Sequence, residues 1–139
     1  MQIIEINKWD ALARAGFTYQ ADGAATPEAN RWRSYADDAI AGRPWAGNCD
    51  ALGSTVLDLC TRAGIPLQDA YRLCVYASSD GSGHFVGCCS DQIGKMWIVG
   101  DTFRDAPYPV VEMHHKPDIY NRLSEQVWRK GVPWTMAPA

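Results

Sequence analysis

The stretch Trp45-Ala46-Gly47-Asn48-Cys49-Asp50 decides how the rest of this 139-residue chain is read. Downstream of it, Leu52, Val56, Leu59 and Ala63 recur at helical spacing, which predicts a helix from near Asn48 or Cys49 to about Ala63. Gly64 stands at the left-handed stop, and Pro66 follows. Asn48 is of the residue type that caps helix N-termini by accepting a backbone N–H. A cysteine therefore opens a helix, where unpaired N–H groups and the helix dipole favour a negative sulfur. The same amides are placed to donate to a carbonyl oxygen as it becomes an oxyanion.

Beyond this helix the period changes from helical to two. From Tyr71, the residues Leu73, Val75 and Ala77 fall on one side of a strand and Arg72, Cys74 and Tyr76 on the other. Ser78 to Gly83 is a loop by composition, and strands are expected from His84 to Cys89 and from Met96 to Thr102, joined through Asp91-Gln92-Ile93-Gly94. Pro117 to Lys130 reads as a last helix with Ile119, Leu123 and Val127 on one face, ended by Gly131 and Pro133. Towards the N-terminus, Thr26-Pro27-Glu28 signals a helix start. Trp32, Ala36, Ala39 and Ile40 form the stripe of that helix, and Gly42 and Pro44 stop it. Residues 17–26 read as loop, and 8–15 as a short helix with Trp9, Leu12 and Ala13 on one face. Helices followed by antiparallel strands predict an α+β fold, the cysteine-bearing helix packed on the sheet, in a single domain over residues 1–139.

A cysteine nucleophile needs a base to take its proton and a carboxylate to orient that base. His84, at the mouth of a strand after a glycine-rich loop, and Asp101, on the next strand, are the candidates. With Gln92 and Ile93 at the centre of a tight turn, residue 90 faces 95, 88 faces 97, and 84 faces 101. Directly opposed residues share a face of the sheet with Cβ atoms about 4.5–5.5 Å apart, so a hydrogen bond is feasible. A slip of one residue would put them on opposite faces.

Gly47-Asn48-Cys49-Asp50-Ala51, Gly83-His84-Phe85-Val86 and Val99-Gly100-Asp101-Thr102, in that order, resemble the transglutaminase-like cysteine peptidase superfamily, in particular its small bacterial members. Arg62-Ala63-Gly64-Ile65-Pro66 also looks like the helix-to-strand junction of that family, and the resemblance spans roughly residues 30–105 as a catalytic half-module. It implies a papain-like fold and thiol chemistry on an amide. Cys49 would attack, His84 would move the proton and Asp101 would orient the imidazole. The substrate would be a peptide or isopeptide amide of a peptide or protein. A transglutaminase or acyltransferase, and a non-catalytic protein-binding module on the same fold, are the alternatives. Some relatives bind calcium through acids near the cysteine. Here Asn48 and Ala51 stand where acids are common, leaving Asp50, so calcium is a minor alternative and no cofactor is expected.

Composition narrows the classes further. A net charge of -3 with scattered basic residues gives no concentrated positive stripe for nucleic acid. No apolar run is long enough to span a bilayer and the N-terminus lacks a signal-peptide pattern, so cytoplasmic residence is the default expectation. Five cysteines without C-x-x-C spacing suit free thiols. Cys60 lies about 16 Å along the helix from Cys49 and reads as core filler, as do Cys74, Cys88 and Cys89. His114-His115 has no third ligand at a metal-binding spacing, so no metal is expected. Trp45, four residues before Cys49, is a candidate wall of the substrate groove or donor of its indole N–H to the oxyanion, whereas Trp32, Trp97 and Trp128 read as core. Asn48 is a cap, an oxyanion donor, or both.

Overall fold

The computed structural model describes residues 2–20, 29–66, 69–77, 83–115 and 130–133. Among them the chain runs through α1 (Ile3–Ala15), β1 (Phe17–Tyr19), α2 (Ala29–Ile40), β2 (Trp45–Gly47), α3 (Cys49–Arg62), β3 (Ala70–Ala77), β4 (Gly83–Ser90), β5 (Met96–Val99), β6 (Tyr108–Pro109), a 3-10 turn (Val110–His115) and β7 (Lys130–Pro133). This is a mixed helix-and-sheet fold of the α+β class. β1 and β2 form a small parallel pair, and the other strands form one antiparallel sheet in the order β6-β5-β4-β3-β7.

α3 is the centre of the molecule. Every residue from Cys49 to Cys60 is buried, because the sheet covers α3 through β4 while α1 and α2 pack against it as well. The four-residue stripe expected from the sequence therefore understates a helix enclosed all round. Its start and stop are as expected. Asn48 is the N-cap, and Gly64, at φ 111°, lets the Ile65 N–H reach back to the Cys60 carbonyl at 3.1 Å.

How α3 comes so close to the sheet is set by three side-chain-free positions. A Cβ on Gly53 would stand 2.7 Å from the Gly87 nitrogen of β4, and one on Gly100 would stand 2.6 Å from the Gly53 Cα. Backbone thus rests on backbone at one point, one turn beyond Cys49. Leu52, Val56, Leu57 and Leu59 fill the core around it.

Several boundaries differ from the sequence reading. α1 begins at Ile3 rather than residue 8, burying Ile6 in addition to Ala13, while Trp9 and Leu12 are partly buried. Residues 17–19 form a strand, not a loop, because β2 pairs with them in parallel (Phe17 with Trp45, Tyr19 with Gly47). Ile40 is 55% exposed and so leaves the stripe that Ala36 and Ala39 keep. β5 ends at Val99 instead of running to Thr102, and Lys130–Pro133 is an edge strand on β3 rather than the end of a helix, a place where proline is tolerated. The expected helix start at residues 26–28, the loop at 78–82 and the expected helix over 117–129 lie outside the described residues.

The hairpin register is shifted by one. Gly94 donates to the Asp91 carbonyl at 3.1 Å, closing the expected turn around Gln92 and Ile93. Gly94 itself takes φ 85° and adds one residue, so Ser90 pairs with Met96 and Gly87 with Val99. A turn followed by a left-handed glycine is a common hairpin connection with this effect on register. The direct 84-to-101 pairing therefore does not exist.

Candidate active site

β2 delivers the chain into α3. The Trp45 N–H bonds the Gly16 carbonyl at 2.9 Å, the Gln20 N–H bonds the Gly47 carbonyl at 2.8 Å, and Asn48 then turns the backbone into the helix. Its Oδ1 accepts the Ala51 N–H at 2.9 Å, so capping is its observed role. Cys49, the first helical residue, is 9% exposed and receives the Phe85 N–H on Sγ at 3.5 Å. Asp50, next in the chain, turns inward to Arg72 of β3 at 3.2 Å, and the Arg72 guanidinium lies over the Phe85 ring. The residues on both sides of the thiol contact are thus tied to one buried ion pair.

His84 and Asp101 meet in spite of the register shift. Gly100, at φ 61°, turns the chain out of β5, and Asp101 swings back over the start of β4. His84 Nε2 stands 2.9 Å from Asp101 Oδ1. An ionised carboxylate only accepts, so Nε2 carries the proton, and Cys49 is the other titratable neighbour that bears on the ring. Asp101 is fully buried and fixed from two further sides: Phe103 N–H donates to Oδ1 at 2.9 Å, and the Tyr108 hydroxyl donates to Oδ2. The Phe103 ring lies over the imidazole, with centroids 4.2 Å apart.

Burial opposes a charge on His84, but the hydrogen bond to Asp101 and the neighbouring Cys49 outweigh this and raise its pKa above the ordinary histidine value. Burial also opposes a charge on Asp101. The hydrogen bond and charge of His84, then the Tyr108 hydroxyl and the Phe103 amide, override it and hold the carboxyl well below the usual carboxylate range. A dry, hydrogen-bonded histidine with an ionised partner can accept a thiol proton and return it.

Cys49, His84 and Asp101 are brought together, and Asn48 caps the helix beside them. Trp45 is not part of this group. It belongs to β2 rather than a loop, its Nε1 donates to the Ala13 carbonyl at 3.0 Å, and its ring packs between Phe17 and Tyr35. The groove-wall and oxyanion-donor roles expected of it give way to a core role, because its one polar group is already engaged. Cys60, Cys88 and Cys89 are buried free thiols, as expected of core cysteines, and burial pushes Cys88 up. The Cys74 side chain lies outside the described residues. His114 and His115 end the 3-10 turn, and among the described residues no three His, Cys, Asp or Glu side chains are grouped to hold a metal ion. Nor is any described helix long and apolar enough to cross a membrane.

Tyr108, Phe103, Arg72, Asp10 and Arg14 surround this group without having been singled out in the sequence. One signal was available for Asp10. It falls between Ile6 and Ala13 on the buried face of α1, an acid where the helical pattern calls for an apolar residue. Searches against protein-family models and against curated proteins return no match to this chain.

Proposed function

We propose that this chain is a thiol-dependent amide hydrolase, with a papain-like arrangement of the transglutaminase-like type, acting on a peptide or isopeptide amide through an acyl-enzyme. The observation that carries the proposal is the buried His84–Asp101 hydrogen bond beside Cys49, whose Sγ accepts the N–H of the next residue, Phe85, at the start of a buried helix. His84 takes the thiol proton as Cys49 Sγ bonds to the substrate carbonyl carbon, whose oxygen becomes an oxyanion facing the first-turn amides of α3. Collapse re-forms the carbonyl and breaks the C–N bond, and His84 gives the proton to the departing amine. Water then attacks the thioester with His84 again as base, releasing the acid and returning the proton to Cys49.

The test is hydrolysis of a panel of fluorogenic peptide and isopeptide amides. Cys49→Ala should abolish turnover, and Asp101→Asn should cut kcat by about 10²–10⁴ while the fold is retained. Full amidase activity in the Cys49→Ala protein would end the proposal. Adding a primary amine separates hydrolysis from transfer, since a transamidase would divert the acyl group to the amine. A non-catalytic binding module finds support in the cover over the pair: Cys49 and His84 are 9% and 2% exposed. That reading requires no turnover from the wild-type protein.

A further inference from the structure

Against the backbone of the Gly100–Arg104 turn lies an ion pair contributed by α1. Asp10 is 1% exposed, and its Oδ2 accepts the Gly100 N–H at 2.7 Å. Arg14, one helical turn on, bonds Asp10 through Nε, the Asp101 carbonyl through Nη2 at 3.1 Å, and the Arg104 carbonyl through Nη1. One guanidinium therefore spans an acid of α1 and both ends of the turn that presents the Asp101 carboxylate. Arg104 N–H closes that turn on the Asp101 carbonyl at 3.1 Å, and the Arg104 guanidinium lies over the ring of Tyr108, a further donor to the Asp101 carboxylate.

A buried ion pair is a poor source of net stability, since removing two charges from water costs about as much as their attraction returns. What this one supplies is geometry. Gly100 stands at φ 61° with no room for a side chain, so the turn's path depends on where its amide and carbonyls are held. A fork of fixed donors does this better than a single ammonium.

We propose that Asp10 and Arg14 are positioning residues for the thiol chemistry: they clamp the Gly100–Arg104 backbone so that the Asp101 carboxylate meets His84. This rests on the reading of Cys49, His84 and Asp101 as the reactive group. Neither residue touches the thiol. Among the described residues, the titratable groups bearing on His84 are Asp101 and Cys49, and those bearing on Asp10 are Arg14, Asp101 and the Cys60 thiol.

Two readouts on the intact protein test this, each read together with far-UV circular dichroism. One is the pH profile of Cys49 alkylation by iodoacetamide, resolved by peptide mass spectrometry. The other is the His84 imidazole titration by NMR. Arg14→Gln should slow Cys49 alkylation by about tenfold at pH 6 and lower the His84 pKa towards its ordinary value, with helix content kept. Arg14→Lys, which keeps the charge beside Asp10 without the fork, should fall between that variant and the wild type. If Arg14→Gln does not fold, Arg14→Lys alone carries the test. Wild-type alkylation and wild-type His84 titration in a folded variant, even one with a lowered melting temperature, would overturn the clamp. The NMR titration does not involve Cys49 as nucleophile, so a wild-type protein without selective alkylation would sink the reading of Cys49 while the clamp is still decided.

Discussion

At Trp45 one hydrogen-bond donor separates two roles. Its indole N–H is spent on the Ala13 carbonyl and its ring is enclosed by Phe17 and Tyr35, so it joins β2 to the end of α1. Trp45→Phe keeps most of the ring packing and leaves a buried carbonyl without this donor, which should cost about 1–3 kcal/mol in urea denaturation. The rate of Cys49 alkylation should be unchanged. A variant of wild-type stability whose alkylation collapses would place Trp45 in the groove after all. At this scale the sequence was informative where a residue type has one strong preference. Asn48 caps and Cys49 opens the helix, both readable from local pattern. It was uninformative for Trp45, Asp10 and Tyr108, whose roles depend on partners 32, 90 and 7 residues away.

At the level of the hairpin, His84 and Asp101 meet although the expected register does not form. The expected hairpin placed His84 opposite Asp101 within a continuous ladder, and the bulge at Gly94 removes that opposition. The pair survives because β5 stops at Val99 and Gly100 redirects the chain. Neither event is visible as periodicity, since both need a positive φ that glycine permits without announcing it. α3 and the strands β3 to β5 were legible because each carries its own pattern. β1, β2, β6 and β7 were not, being two to four residues long and defined only by the strands they pair with. Gly100→Ala tests this hinge. The added Cβ meets the Gly53 backbone and the backbone stands in the left-handed region, which should cost about 1–3 kcal/mol and displace Asp101. The expected signs are a lower urea midpoint and loss of selective Cys49 alkylation. An alanine variant with both at wild-type values would contradict the close approach of Gly100 to α3.

Over the whole molecule the candidate site is a junction rather than a loop insertion. α3 supplies the thiol, β4 the imidazole, the turn after β5 the carboxylate, β6 the tyrosine, and α1 the ion pair behind them. Folding and site assembly are therefore one event, and stability should report the site's ionisation. His84 has a folded pKa above its unfolded value of about 6.5, so its contribution is complete below that pH and is lost as pH rises through the folded value. Between about pH 6.5 and 8.5, before the thiols of the unfolded chain ionise, wild-type stability should fall with rising pH. Asp101→Asn removes the charge that raises His84, and its stability should be flatter over the same window. Equal slopes in the two proteins would mean that His84 and Asp101 are not coupled in solution.

The central claim, that His84 makes Cys49 the reactive thiol of this fold, is tested most directly by competitive labelling. Wild-type and His84→Ala proteins are exposed to iodoacetamide at pH 6, and each cysteine is followed by peptide mass spectrometry. Cys49 should be alkylated about tenfold or more ahead of Cys60, Cys88 and Cys89 in the wild type, and should lose that lead in His84→Ala. Slow labelling of Cys49 together with the buried thiols, or a lead that persists without His84, would contradict it.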